Sequence, residues 1–365
     1  MTYLDYQATT PLALEAREAM LHWLGGPDST GFGNPHSAHR MGRQAAAAVE
    51  VARDQIAALR PPGGRVIFTS GATEALNTAL RGTPGDVFTF AAEHAAVLDC
   101  ARVIEGQGRA FTVLPVLADG QADLAALRDN VGPGIVAAML VNNEIGTINP
   151  LARIADIARN AGALVLCDAV QGYGRIAIPE GADMIAISAH KIHGPKGIGA
   201  LWLRDGVAVE PLMYGGGQEQ GLRSGTLSPA LCAGFGAAAQ LAAQRMEQDA
   251  VHVASLWDRA RNILSAWTLN GSEEHRWKGN LNLRLEGLDV ARLMSDLRNV
   301  AFSAGSACAS GSGRPSHVLR SIGLTDSQAK SSIRLGFGRY TAMDDLEHAA
   351  RAIDAAAQAQ SQAWG

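Results

Sequence analysis

Cysteine is scarce in this chain of 365 residues: Cys100, Cys167, Cys232 and Cys308 are the only four, widely spaced and without a CxxC pair. That spacing argues against a disulfide framework and a paired-cysteine zinc site, so each thiol is a small core residue or a reactive group, and no metal is expected. Runs of five or more basic residues are missing, and the net charge is −4. Nothing here offers an electrostatic footprint to nucleic acid or an anionic membrane. No stretch approaches the roughly 18 apolar residues of a membrane span. The opening Met1-Thr2-Tyr3-Leu4-Asp5-Tyr6-Gln7 has neither a basic nor an apolar leader region. These absences predict a cytoplasmic protein with a small-molecule ligand.

Lysine is also rare, with four residues against 27 arginines. Two of the four, Lys191 and Lys196, lie in Ser188-Ala189-His190-Lys191-Ile192-His193-Gly194-Pro195-Lys196-Gly197, and Lys191 closely follows an apolar run. A chain that uses arginine for positive charge keeps lysine where an amine must lose its proton and attack a carbonyl, which a guanidinium cannot do. Lys191 is therefore the first candidate for covalent chemistry.

With 47% hydrophobic residues the chain can bury a large core, and its length suggests two subdomains. Between about residues 65 and 203 short apolar runs alternate with turns and helical patterns. The runs fall at 66–68, 87–90, 135–141, 164–167, 184–187 and 200–203. Continuous rather than alternating apolarity predicts a doubly covered, mostly parallel sheet. Residues 231–250 form an alanine-rich helix leading to a second unit. There, 281–285 and 332–337 alternate as half-buried strands, and 290–297 and 344–358 read as helices.

Ligands of open α/β sheets bind beyond the carboxyl ends of the strands, and here those ends carry catalytic residue types. The first run leads into Thr69-Ser70-Gly71-Ala72-Thr73-Glu74 and a helix, which forms either a phosphate cup of exposed N–H groups or an ordinary N-cap. The next ends bring Glu93-His94, Asn142-Asn143-Glu144, Asp168-Ala169-Val170-Gln171 and His190-Lys191. Each has a bland explanation alone, but five successive strand ends converging on one rim favour a single site. Pyridoxal 5'-phosphate needs such parts: a Schiff-base lysine, a phosphate cup and a carboxylate facing the pyridine nitrogen. Asp168, at the tip of an apolar strand, suits the last task, since a buried carboxylate calls for a cationic partner.

The chain resembles the cysteine desulfurases of the class V aminotransferase group over nearly its whole length. The resemblance is carried by Tyr3-Leu4-Asp5, Ala8-Thr9-Thr10-Pro11, Gly33-Asn34-Pro35 and Thr69 to Glu74. It continues through Glu93-His94, Val141 to Gly146, Asp168 to Gln171, His190-Lys191 with Gly194 to Gly197, and Arg223-Ser224-Gly225-Thr226. Gly305-Ser306-Ala307-Cys308 and Ser331-Ser332-Ile333-Arg334 complete it. It implies fold type I of the pyridoxal-phosphate enzymes, α/β with a mostly parallel sheet flanked by helices. The large cofactor domain would span 12–245, and residues 1–11 with 246–365 would form a smaller α+β domain bearing the Cys308 loop.

Residue by residue, the resemblance implies that Lys191 carries the cofactor and that His94 stacks on its ring and shuttles protons. Asp168 would hold the pyridine nitrogen, with Gln171 and Asn143 at the phenolic oxygen and substrate side. Ala72, Thr73, Ser188 and His190 would bind the phosphate, while Thr226 would reach the phosphate of the other subunit in a homodimer. Asn34 and Asn143 join Arg334 on the substrate side. Arg334 lies among Ile333, Leu335 and Phe337 and must find an anion, either the substrate α-carboxylate or a structural acid.

Cys308 stands apart from the other cysteines, which sit among Ala, Val and Leu. Its segment, 303–314, lacks any large apolar residue and should be a mobile loop. Within the resemblance, its thiolate takes sulfur from L-cysteine, leaving a persulfide and alanine, and passes the sulfur to an acceptor protein such as an iron–sulfur scaffold. The competing readings are selenocysteine lysis, another class V amino transfer, or a sulfur-relay or scaffold-binding protein without turnover. His193 carries no functional expectation.

Overall fold

The computed structural model describes residues 1–305 and 315–362. The N-terminal part comprises β1 (Thr2–Tyr3), α1 (Leu14–Leu21) and α2 (Arg40–Ala57). The alternating part runs β2 (Gly64–Thr69), α3 (Ala72–Gly82), β3 (Asp86–Phe90), α4 (Ala95–Glu105), β4 (Phe111–Leu114), α5 (Leu124–Asn130) and β5 (Gly134–Met139). It continues with α6 (Leu151–Asn160), β6 (Ala163–Asp168), β7 (Met184–Ser188), β8 (Gly199–Arg204) and α7 (Pro229–Ile263). Then follow β9 (Thr268–Leu269), β10 (Asn280–Arg284), α8 (Val290–Asp296), β11 (Val300–Ala301), β12 (Ser303–Ala304), α9 (His317–Ser321), α10 (Asp326–Lys330), β13 (Ser332–Gly336) and α11 (Met343–Gln362).

The central sheet has the order β2-β8-β7-β6-β5-β3-β4. Its strands explain the unbroken apolar runs, because successive residues feed opposite cores. Phe68, Val136, Ala138, Val165 and Cys167 pack into one core with Ile56 of α2, Ile154 of α6 and Phe235 of α7. Ile67, Ile135, Ala137 and Leu166 pack into the other with Leu76 and Leu80 of α3 and Val97 and Ile104 of α4. The mostly parallel sheet flanked by helices is thus as expected.

Two features of the sheet differ from the sequence reading. The edge strand β4 was not anticipated, because Phe111, Thr112 and Val113 remain partly exposed and give no continuous apolar signal. The strand β8 runs antiparallel to both its neighbours. Its link from β7 is residues 189–198, too short for the helical crossover that a parallel return requires. That tight link is the segment containing Lys191.

A smaller antiparallel sheet, β12-β13-β10-β9, lies toward the C-terminus, and β1 pairs in parallel with β11. Helix α7 starts on a capping Ser228, whose side chain accepts from Leu231 N–H, with proline in its first turn. It runs unbroken across residue 245. Among the described residues no helix is long and apolar enough to cross a membrane, and no cluster of His, Cys, Asp and Glu is placed to hold a metal.

Candidate active site

The N-terminal segment 5–13 crosses the carboxyl ends of the central strands. Thr10 N–H donates to His190 O at 3.0 Å and Ala13 N–H to His193 O at 2.9 Å, while His193 N–H donates to Thr10 Oγ1 at 2.7 Å. His193 takes a left-handed backbone, φ 68°, and its ring meets Tyr6 and Tyr340 edge-on. This histidine latches the segment in place, a role the sequence did not suggest. The segment closes one side of a cavity of about 470 Å³, within the range of small-molecule sites.

Ten of the residues singled out in the sequence line that cavity: Ala72, Thr73, His94, Asn143, Asp168, Gln171, Ser188, His190, Lys191 and Arg334. Asn34 and Thr226 are exposed and do not line it. Cys308 lies outside the described residues.

Lys191 sits in a short 3-10 turn following β7, and its Nζ donates to Gln7 O at 2.6 Å and Ala8 O at 2.8 Å. Burial lowers its pKa to about 8, helped by Arg175 and Arg334 and opposed by Asp168 and Asp5. A readily deprotonated amine in a cavity is suited to carbonyl attack. Neither backbone carbonyl was legible in the sequence, since both come from a segment more than 180 residues away.

At one end of the cavity, α3 begins at Gly71 without a side-chain cap, so the first N–H groups of the helix remain available to an anion. Strand β8 passes so close that a Cβ on Gly199 would sit 2.7 Å from Gly71 Cα. Glu74, in the first turn, is occupied by Ser70 N–H at 2.7 Å and by Arg223 at 2.8 Å. Burial, with Lys191, Lys196 and Arg175 nearby, lowers the His190 pKa to about 4, so the ring is neutral.

Asp168, which also lines the cavity, terminates β6 and accepts Val170 N–H at 3.0 Å. Burial raises its pKa, while His94, that N–H and Lys191 pull it down. His94 caps α4 by accepting Ala96 N–H at Nδ1, 3.0 Å away. Burial lowers its pKa, so the ring is neutral and its proton resides on Nε2. The Gln171 amide donates to Gln7 O at 3.0 Å.

Arg334, in β13, resolves one alternative left open by the sequence. It is buried and ion-paired with Asp5 at 2.8 Å, while donating to Asn143 O at 3.1 Å and Ser303 Oγ at 3.3 Å. A structural acid therefore is present, supplied by the Tyr3-Leu4-Asp5 segment. Three of the five guanidinium N–H bonds are used, and Nε has no partner among the described residues, so the group retains donors for a second anion. Asn142, also unassigned from the sequence, binds Glu144 and Ile145 N–H through Oδ1 and Ala92 O through Nδ2, tying the β3 and β5 ends together.

This set fits a flat, phosphate-bearing cofactor with a basic ring nitrogen. It offers an amine of lowered pKa, an uncapped helix N-terminus and a buried carboxylate around one volume. Residues 2–348 match the model of the family described as aminotransferase class-V. The chain belongs to that family, whose members are pyridoxal-phosphate enzymes. It is 43% identical to "Cysteine desulfurase IscS" of Rickettsia rickettsii (strain Iowa) over 96% of this chain and 90% of that protein. Among solved structures it resembles a NifS-like protein from Rickettsia africae ESF-5, with TM-score 0.88 and 29% identity over 98% of this chain and 99% of that one. It also resembles SspA in complex with cysteine, with TM-score 0.82 and 31% identity over 94% of this chain and all of that one.

The three described cysteines are buried, and burial raises their thiol pKa values, for Cys232 to about 12. They are core residues, not nucleophiles.

Proposed function

We propose that this member of the class V family is a cysteine desulfurase dependent on pyridoxal 5'-phosphate. The observation that carries the reading is the Lys191 amine of lowered pKa facing the buried Asp168 carboxylate across one cavity. The named relatives support the choice of cysteine as substrate. When bound, the cofactor supplies an electron sink that loosens the α-proton and the sulfur of the substrate.

The chain's own residues then have separate tasks. Asp168 keeps a proton on the ring nitrogen. Ala72 and Thr73 at the α3 N-terminus, with Ser188 and His190, hold the phosphate, and Gln171 and Asn143 orient the ring and substrate side. Lys191 Nζ takes the α-proton, and His94 stacks on the ring and moves protons through Nε2. Arg334, with Asn143, receives the substrate carboxylate; Asn34, exposed outside the cavity, would join them only if its segment moved toward it. The Cys308 thiolate attacks the substrate Sγ: a new S–S bond forms, the substrate C–S bond breaks, and its electron pair stays on carbon, which gains a proton to leave as alanine.

The same reading assigns 12–245 to the cofactor-binding unit, and 1–11 with 246–365 to the unit bearing Cys308. It also makes the protein a homodimer in which exposed Thr226 reaches the partner's phosphate site. The persulfide sulfur passes to an acceptor protein, for which an iron–sulfur scaffold is the proposed class. Free buried thiols support a reducing, cytoplasmic setting.

Purified protein incubated with L-cysteine and a reductant should release alanine and sulfide together, and Cys308→Ala should abolish both. Sulfide release undiminished in Cys308→Ala would refute the persulfide step. Turnover of selenocysteine but not cysteine would replace the substrate while leaving the cofactor reading intact.

A further inference from the structure

Arg175 was not singled out in the sequence, yet it links two residues of the cavity. Its Nη1 donates to Gln171 Oε1 and, at 3.2 Å, to Gln171 O, while Nη2 donates to Lys191 O at 2.7 Å. All these acceptors are neutral, and among the described residues no carboxylate pairs with it. Asp249, which lines the same small cavity of about 30 Å³, accepts twice from Arg339, at 2.6 and 2.8 Å. Burial lowers the Arg175 pKa only to about 10, which leaves the guanidinium charged at neutral pH. An uncompensated charge in that position is costly for folding, and a neutral side chain could hold the same carbonyls more cheaply.

We propose that Arg175 is a positioning residue of the site: its guanidinium fixes the Gln171 amide and the Lys191 main chain, and it sets a positive charge without a carboxylate partner beside the lysine. Among the charges acting on Lys191, Arg175 stands first, ahead of Arg334 from β13. Asp168 at the end of β6 and Asp5 in the N-terminal segment act in the opposite sense. His94 and His190 are both neutral, and Lys196 sits at the exposed rim, so none of these replaces Arg175. The same guanidinium also presents the Gln171 Oε1 with a donor, which aims Gln171 Nε2 at Gln7 O. Arrangement of the lysine and setting of its charge thus come from one side chain.

The inference rests on Lys191 carrying the cofactor, and visible absorbance of the cofactor-loaded protein reads it without turnover. The pH midpoint at which the lysine-bound chromophore loses its proton is measured for wild type, Arg175→Gln and Arg175→Lys. Removing a nearby like charge should raise the midpoint in Arg175→Gln by about one pH unit. Arg175→Lys, which keeps the charge, should stay near the wild-type value. A coloured Arg175→Gln with an unchanged midpoint would overturn the inference alone, as would loss of chromophore from both variants, which would mark a merely structural role. If Arg175→Gln loses the chromophore while Arg175→Lys keeps it at the wild-type midpoint, the charge requirement stands. A colourless wild type would overturn the cofactor reading itself, and this inference with it.

Discussion

Replacing Lys191 by methionine in the cofactor-free protein separates two effects of opposite sign. Folding brings the amine from an ordinary pKa of 10.5 to about 8, so its charged form is disfavoured in the folded state. At about 1.4 kcal/mol per unit, that corresponds to about 3 kcal/mol of destabilisation wherever both states are protonated, below about pH 8. Between about pH 8 and 10.5 the unfolded chain binds the extra proton, so stability rises with pH, and the destabilisation is gone above 10.5. Against this, methionine removes the hydrogen bonds to Gln7 O and Ala8 O, together about 2 kcal/mol. A neutral amine retains its N–H donors, so those bonds persist through the titration and their loss is independent of pH. Urea denaturation of both proteins near neutral pH and near pH 10.5 isolates the titrating part. Wild type should be slightly less stable than Lys191→Met near neutrality and should gain about 3 kcal/mol on it at the higher pH. A difference that is the same at both pH values, within about 0.5 kcal/mol, would refute an amine tuned by burial.

The Asp5–Arg334 pair offers a second test. Arg334 is 1% exposed and Asp5 19%, so Asp5→Asn should cost about 2 to 3 kcal/mol, below the usual cost of breaking a fully buried pair. Saturating L-alanine, whose carboxylate would re-pair the guanidinium, should stabilise cofactor-loaded Asp5→Asn more than loaded wild type in a thermal melt; equal stabilisation would count against Arg334 as the carboxylate site. Gly199→Ala would drive a methyl to 2.5 Å from Ile187 O and 2.7 Å from Gly71 Cα. It should cost about 1 to 3 kcal/mol in denaturation and weaken cofactor retention on dialysis, because the α3 N-terminus, the proposed phosphate site, must shift.

The architecture was legible where one local rule applied. Runs such as 135–141 announced strands buried on both faces, and the residues just past them, Asp168 and His190-Lys191, fell on the cavity because ligands gather at strand ends. The direction of β8 was not visible in its own residues; it follows from the length of the 189–198 link. The contacts hardest to read were those made by chain distant in sequence. Gln7 and Ala8 hold Lys191, and Asp5 holds Arg334, yet none of these residues has a local pattern that names its partner. Arg175 does not stand out in the sequence, because one arginine among 27 gives no composition signal.

The N-terminal segment that crosses the strand ends also dictates when the site can exist. Asp5 and Arg334 are 329 positions apart, and Gln7 and Lys191 are 184 apart. During synthesis from the N-terminus, the central sheet can be complete while residue 334 is still unmade, leaving Asp5 without its counter-ion and the cavity open on that side. The complete site, with the Asp5–Arg334 pair in place on its substrate side, therefore belongs to a late stage of the protein's biogenesis.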